Sequence, residues 1–417
     1  MALIRSAEIV AVGTELLTPF RADTNSLWLT ARLNEIGIEV RRKTVAGDHV
    51  GDLAAIVSEA RERSDLLVTT GGLGPTADDV TRDAVARALG RELVLDEAVL
   101  AAIRERFERR GMRMPAVNRR QALVPAGAVA LPNAVGTAPG LWIESGGRAC
   151  VLLPGPPREL QPMYDAHVAS RLRDRAGERH VRRRVIALTG QPESKVDEIA
   201  QPIYAGFAGE PVPIATTILA SPGRIELHLW ASGTDAGALD RALESGVSRL
   251  LPALGRAVYS TDGRSLEEVV ADRLLSRGLW LAVAESCTGG RVLGGLTDVP
   301  GSSAWLRGGV VAYDNAVKID VLGVAPDLLR AHGAVSEPVA AAMARGVRER
   351  LRADVAIAVT GIAGPTGGTP DKPVGTVVIA VDGIAASART FRFAGDRSMV
   401  RQFSVAASLD LVRRVLD

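Results

Sequence analysis

Residues 65–90 read DLLVTTGGLGPTADDVTRDAVARALG. Positions 66–70 are apolar or β-branched without a break, the pattern of a strand buried on both faces. Gly71, Gly72, Gly74 and Pro75 then turn the chain. Apolar residues at helical spacing, acids in the first turn and a glycine stop predict a helix over 76–90. A strand, a glycine-rich turn and a helix make half of a parallel βαβ unit. Such units bring their turns to one edge of the sheet, where open α/β sheets bind ligands.

Working outward, residues 7–12 (AEIVAV) read as a strand, and residues 23–37 as a helix with a glycine stop. Residues 38–47 are a strand, 48–64 a helix, and CVLLPGPP (150–157) a strand ending in a rigid turn. This alternation predicts one α/β domain over 1–170. Residues 171–184 (RLRDRAGERHVRRR) read as a basic linker, with a phosphate patch as the alternative. Residues 185–260 give β-α-β-β-α-β, a small ferredoxin-like α+β unit. A third α/β domain is expected over 264–417.

Composition narrows the function. The 417 residues are 47% hydrophobic and 24% charged, ordinary for a globular chain with more than one core. Fifty basic against 48 acidic residues leave a net charge of +2, which disfavours a nucleic-acid-coating protein. Cys150 and Cys287 are the only cysteines, too few for a disulfide framework, and the five histidines form no metal-type cluster. No signal-peptide pattern opens the chain and no apolar run suits a membrane helix, so the expected compartment is the cytoplasm. Only Lys43, Lys195, Lys318 and Lys372 are lysines among the 50 basic residues. Lysine, unlike arginine, can surrender its proton when its surroundings lower its pKa.

Two stretches carry candidate chemistry. In the first, Gly71, Gly72 and Gly74 would let backbone amides approach an anion, and Asp78 and Asp79 would suit a metal ion bridging to phosphates. Plain turn chemistry and an acidic helix start explain the same residues equally well. Three further turns favour the site: Gly13-Thr14-Glu15, Asn133-Ala134-Val135-Gly136-Thr137, and Pro154-Gly155 through Glu159. Each flanks a strand-like run, and the sheet could gather them on one edge. Neither a Walker A motif nor a Rossmann GxGxxG is present.

The second stretch is AESCTGGR, residues 284–291. A strand ends there in a small-residue turn, which can aim the Ser286 hydroxyl into a cleft. Serine needs a base to become a nucleophile. His332 is the one histidine of this domain and GxSxG is absent, so a Ser–His–Asp triad is disfavoured. Lys318, five residues after Tyr313 in YDNAVK, is the candidate base, its pKa expected to be lowered by burial among apolar residues or by a cationic neighbour. The plainer alternatives are a helix cap, a core tyrosine and a surface lysine. Cys287 should point away from Ser286 along an extended segment. Arg397 and Arg401 would share one helix face, where they could grip a phosphate.

VGTELL, DTNS, GGLGPTADDVT, NAVGTAPG, LLPGPPREL, AESCTGG, YDNAVK and VTGIAGPTGGTPDKPVGTV together resemble the CinA (competence/damage-inducible) family over nearly the whole chain. The resemblance implies an N-terminal α/β/α domain of the molybdopterin-binding (MoaB/MogA-like) superfamily. Its motif GGxGxxxxDxT is met by Gly71, Gly72, Gly74, Asp79 and Thr81, with Thr76 inside it, and Asp48 matches the superfamily's other carboxylate. Where many relatives read LLLGQIVNTN this chain reads LLTPFRADTN, keeping Asn25. The implied activity is metal-dependent hydrolysis of ADP-ribose to AMP and ribose 5-phosphate. The implied C-terminal activity is nicotinamide-nucleotide amidase: nicotinamide mononucleotide (NMN) becomes nicotinate mononucleotide and ammonia, with no cofactor. Ser286, Tyr313 and Lys318 match the family's serine, tyrosine and lysine. On that basis Ser286 attacks the carboxamide, Lys318 takes its proton with Tyr313 relaying, and amides at Thr288, Gly289 and Gly290 or Thr360 and Gly361 hold the oxyanion. Gly364 lies in the same loop, and Arg397 and Arg401 face the 5′-phosphate.

The expected partners are therefore NMN and ADP-ribose, a second copy of the chain in a homodimer, and neither membrane nor nucleic acid. The middle unit resembles the family's KH-type domain but lacks a GxxG loop, so it is expected to be a spacer or dimerisation element. Two other readings stay open: an N-terminal domain that only binds a pterin or nucleotide, and a non-enzymatic adaptor in DNA uptake or repair.

Overall fold

The computed structural model describes residues 2–417. The chain forms two compact units. One holds the residues up to Arg182 with Ser232–Leu239, and the other holds Arg183–Ala231 with Asp240–Asp417.

The first unit contains β1 (Ser6–Val12), β2 (Glu39–Ala46), β3 (Leu66–Thr70), a short pair β4 (Leu93–Leu95) and β5 (Leu123–Pro125), then β6 (Val129–Leu131), β7 (Gly140–Ser145) and β8 (Arg148–Leu153). Six of these make one sheet in the order β2-β1-β3-β8-β7-β6. Strands β2, β1, β3 and β8 are parallel, β7 runs against them, and the edge strand β6 pairs antiparallel with β7. Alternation along the central strands divides the core. Ile9, Leu66, Val68 and Val151 meet Leu29, Leu33, Leu160 and Leu172 on one face. Val10, Leu67, Cys150 and Leu152 meet Leu53, Val57, Ala84 and Val85 on the other. This is the expected three-layer α/β/α domain, with a fully buried Leu or Val contributing about 1.5–3 kcal/mol over exposure. Ala11 lies opposite Thr70 and Thr70 opposite Leu153, so β1, β3 and β8 end level. The turns that follow them share one edge.

β9 (His180–Thr189), β10 (Ala215–Ser221), β11 (Arg224–Gly233) and β12 (Val258–Ser260) form a sheet ordered β10-β11-β9-β12. With helices Glu193–Tyr204 and Ala236–Leu254 this is the ferredoxin-like β-α-β-β-α-β order. A five-stranded sheet follows: β13 (Leu281–Glu285), β14 (Leu306–Val311), β15 (Val355–Gly361), β16 (Thr376–Asp382) and β17 (Ser387–Arg392), ordered β14-β13-β15-β16-β17. The first three in that order are parallel, β16 runs against them, and β17 pairs antiparallel with β16. Leu281, Val283, Ile357 and Val359 face helices Leu266–Ser276 and Arg397–Leu416. The alternate residues Ala282, Ala284, Ala356 and Ala358 give helix Glu337–Leu351 a small-residue surface to pack on.

Two sequence expectations need correction. Residues 171–184 are not a linker: helix Ala169–Ala176 and the start of β9 occupy them. Leu172, Arg175 and Ala176 are buried, and the Arg175 guanidinium donates to Ala2 O, Gly147 O and Glu144 Oε1. The helix expected from residue 76 begins at Thr81, because residues 76–79 fold back as a turn held by a carboxylate. No described helix is long and apolar enough to cross a membrane.

Candidate active sites

The level ends of β1, β3 and β8 open into a cleft of about 510 Å³. Gly13, Glu15, Asp48, Gly71, Gly72, Gly74, Asp78, Asp79, Gly136, Thr137, Gly155 and Glu159 line it, so the four separate turns do meet. The other residues singled out there act from behind. The Thr14 amide donates to Asp48 Oδ2 at 2.8 Å, and the Asp48 amide returns a bond to Thr14 Oγ1 at 3.2 Å. Asn25 Nδ2 donates to Gly155 O at 2.7 Å, which ties the altered Thr18–Thr24 loop to the far turn. Thr81 Oγ1 donates to Gly71 O at 2.8 Å. Asn133 Oδ1 accepts the amides of Val135 and Gly136, while its Nδ2 donates to Glu159 Oε2 at 2.9 Å. Gly71 sits at φ +95°, and a Cβ there would strike the carbonyl of Val12. The glycine is required by close approach of two strand ends.

Asp79 is committed to the turn. Oδ1 accepts from the Gly74 amide at 2.7 Å, and Oδ2 accepts from the Thr76 amide at 2.9 Å and hydroxyl at 2.6 Å. Asp78 stays exposed, and the one Thr76 hydroxyl hydrogen goes to Asp79. Among the described residues no three His, Cys, Asp or Glu side chains group to hold a metal ion. The expected set of Asp48, Asp78 and Asp79 is therefore no preassembled cage. Asp78 and Glu15 line the cleft with exposed carboxylates, whose chemistry suits a hydrated divalent ion rather than a caged one.

Sequence reading missed the basic side of this cleft. Arg106, Arg110 and Arg158 line it. Arg106 donates to the carbonyls of Asn133, Ala134 and Val135, clamping that turn, and its Nε is buried without a partner. Arg82, 2% exposed, supports the glycine-rich turn from beneath through Leu73 O (2.6 Å) and Gly74 O (2.8 Å). Its burial lowers its pKa to about 10.

The second candidate site lies at the matching edge of the C-terminal sheet. Ser286 follows β13 and is 8% exposed. Its amide donates to Val359 O at 2.8 Å, and its carbonyl accepts the Gly289 amide at 3.1 Å, closing a tight turn. Glu285, 1% exposed, brackets that turn. Its carboxylate accepts the amides of Val292 (3.1 Å) and Leu293 (2.8 Å), and its carbonyl accepts the Ala312 amide at 2.7 Å. Lys318 is 1% exposed, and its Nζ donates to Ala312 O at 2.9 Å and Tyr313 O at 3.3 Å. Burial pulls the Lys318 pKa down, with Asp314 opposing. Among the described residues no acidic side chain bonds to the amine, and these two carbonyls hold it. Cys287 is buried, and desolvation pushes its thiol up to about 12, which leaves it inert beside the serine.

Tyr313 does not bridge serine and lysine. It is 61% exposed, and its hydroxyl accepts from Arg397 Nη2 at 3.0 Å. Arg397 also donates to Gly364 O at 2.9 Å, and Arg401 donates to Thr288 O at 2.7 Å, so both arginines sit over the predicted turn residues. Arg401 feels burial and then the like charges of Arg291 and Arg397, which lower its pKa. Arg291 thus completes a cationic group that spacing along one helix could not disclose. Gly361 has no room for a Cβ beside Val377 (2.7 Å) and Cys287 Sγ (3.0 Å). The Thr360 hydroxyl is turned to Ala334 O at 2.9 Å.

Two family models match the chain. Residues 8–174 match the family described as probable molybdopterin binding domain, and residues 263–416 match the CinA C-terminal domain. A CinA-like protein from Koribacter versatilis is 45% identical over 415 residues, covering 98% of this chain and 99% of its own. Another from Solibacter usitatus is 44% identical over 409 residues, covering 98% and 97%. The solved competence or damage-inducible protein from Enterobacter asburiae is 35% identical over 36% of this chain and 96% of its own, with a TM-score of 0.36. With relatives of this identity along nearly its full length, the chain belongs to the CinA family.

Proposed function

We propose that the C-terminal site is an amide hydrolase acting on NMN, with Ser286 as nucleophile and Lys318 as base. The observation that carries this is the buried Lys318 amine, held by two carbonyls next to the strand end that bears Ser286. A neutral lysine has two N–H bonds and one lone pair. The carbonyls of Ala312 and Tyr313 take the N–H bonds and leave the lone pair for the serine proton. Ser286 Oγ then bonds to the carboxamide carbon while its proton passes to Lys318. Collapse of the tetrahedral adduct breaks the C–N bond, and Lys318 returns the proton to departing ammonia. Water attacks the acyl-serine, again giving its proton to Lys318, and the carboxylate product leaves as Ser286 recovers its hydrogen. The Gly289 amide already serves Ser286 O, so Thr288 and Gly290 are the amides of this turn left for the oxyanion. Arg291, Arg397 and Arg401 supply the charge that a 5′-phosphate requires, and Tyr313 orients Arg397 rather than relaying protons. Ammonia release from NMN by the purified protein tests the proposal, with nicotinamide riboside as the phosphate-free comparison.

For the N-terminal cleft we propose hydrolysis of ADP-ribose to AMP and ribose 5-phosphate. Its glycine-rich turn, flanking arginines and two exposed carboxylates support a diphosphate that brings its own Mg²⁺. The lack of a three-carboxylate metal group favours a second reading, binding of a nucleotide or pterin without cleavage. Magnesium-dependent AMP release from ADP-ribose separates the two.

A further inference from the structure

The ferredoxin-like sheet is built into the core of the C-terminal sheet. Ala187 of β9 and Tyr259 of β12 lie in the same buried cluster as Leu266, Leu409 and Val412. The two-residue turn between β10 and β11, Pro222-Gly223, reaches helix Arg397–Leu416. A Cβ on Gly223 would stand 2.5 Å from Ala406 Cβ and 3.6 Å from Phe403 Cα. The Thr189 hydroxyl, at the end of β9, donates to Gly223 O at 2.7 Å and fixes the turn there. The next residue, Arg224, pairs through Nη2 with Glu267 Oε1. Glu267 is buried and lies against helix Arg291–Thr297, where a Cβ on Gly295 would meet Glu267 Oε1 at 3.3 Å.

We propose that this hairpin positions the cationic group of the Ser286 site, with Gly223 and Arg224 as positioning residues for recognition of a 5′-phosphate. The inference rests on the amidase reading given above. The two helices that the hairpin reaches are the two that carry the arginines, Arg397 and Arg401 on one and Arg291 at the start of the other. Repulsion among three guanidinium groups opposes the approach of these helices, so packing behind them has to hold their spacing. On one side that packing is backbone against helix. Gly223 has no side chain to yield, so the hairpin and helix Arg397–Leu416 cannot shift independently. On the other side it is the Arg224–Glu267 pair, whose side chains are 29% and 12% exposed and therefore only partly screened by water. Phe403 carries the contact toward the site. Its ring stacks on Phe393 at 5.4 Å, three residues before Asp396, which caps the arginine-bearing helix. The ferredoxin-like sheet thus braces the phosphate-binding arginines, a role beyond that of a spacer.

The test is steady-state ammonia release from NMN and from nicotinamide riboside by the full chain, by Gly223→Ala and by Gly223→Ala/Ala406→Gly. The added methyl pushes the hairpin off the helix, and the second substitution removes the methyl it strikes. Backbone strain at φ +82° is common to both variants, so the difference between them reads the contact. The expected result is a KM for NMN raised about fivefold or more in Gly223→Ala, with kcat and the riboside's kcat/KM within about twofold of wild type. In the double variant KM should return to within about twofold. Glu267→Gln keeps the shape of the side chain and removes its charge. It should raise KM for NMN in the same direction, and it carries the test if Gly223→Ala fails to fold. A KM for NMN within about twofold of wild type in the folded variant, equal losses on both substrates, or no recovery in the double variant overturns the positioning role. A folded wild type that releases no ammonia from NMN overturns the amidase reading itself, and this proposal with it.

Discussion

Lys318 Nζ lies 2.9 Å from the carbonyl oxygen of Ala312, and the Ala312 amide in turn bonds the carbonyl of Glu285, the residue before Ser286. One short path of hydrogen bonds thus ties the Lys318 amine to the strand end that carries Ser286. Burial lowers the Lys318 pKa, so the neutral amine is reached at a pH below that of an ordinary lysine. The rate of ammonia release should rise with pH and level off below about 10.4, the free lysine value. Lys318→Arg, which stays protonated, should lose activity by about a thousandfold, measured over the same range. The stability linkage has the same origin. The folded state binds fewer protons than the unfolded state between the lowered pKa and the ordinary one, so stability gains with pH through that window. Lys318→Met removes the buried charge and should melt no earlier than wild type at neutral pH.

Glu285 holds the Ser286 turn closed by accepting the amides of Val292 and Leu293. Glu285→Gln keeps one acceptor but turns an NH₂ group toward the other amide. We expect kcat to fall by about tenfold or more with KM within about twofold, and a destabilisation of about 1–3 kcal/mol. Paired melting and steady-state measurements check this. An unchanged kcat in a destabilised protein would assign Glu285 to the fold alone.

Arg291, Arg397 and Arg401 predict a phosphate requirement. Arg397→Ala or Arg291→Ala should raise KM for NMN by about tenfold to a hundredfold and leave the weak turnover of nicotinamide riboside nearly unchanged. Equal losses on both substrates would move these arginines out of the phosphate site.

The two neighbouring acids of the N-terminal turn should behave differently. Asp79 accepts three hydrogen bonds within its own turn, so Asp79→Ala should destabilise the fold by about 1–3 kcal/mol and abolish ligand binding with it. Asp78→Asn should leave the melting temperature alone and raise the Mg²⁺ concentration needed for AMP release. Thermal melts beside a magnesium titration distinguish the pair.

Much of this arrangement was legible in the sequence. The strand, turn and helix around Gly71 to Thr81, the ferredoxin-like middle sheet and the serine after β13 all follow from local patterns. What escaped depends on direction and distance through space. Spacing puts Tyr313 near Lys318, yet their side chains part, one into the core and the other out to Arg397. Arg106, Arg110 and Arg158 reach one cleft from separate segments, and Arg291 joins Arg397 and Arg401 only when two helices meet. The arginine-rich 171–184 stretch has the composition of a solvated linker. Burial of Leu172 and of the fully bonded Arg175 makes it part of the fold.

The most direct test of the central claim is ammonia release from NMN by wild type, Ser286→Ala and Lys318→Met, each confirmed folded by its melting curve. The account predicts turnover by wild type and none above background from either variant. Undiminished turnover in Ser286→Ala, or a folded wild type that releases no ammonia, would contradict it.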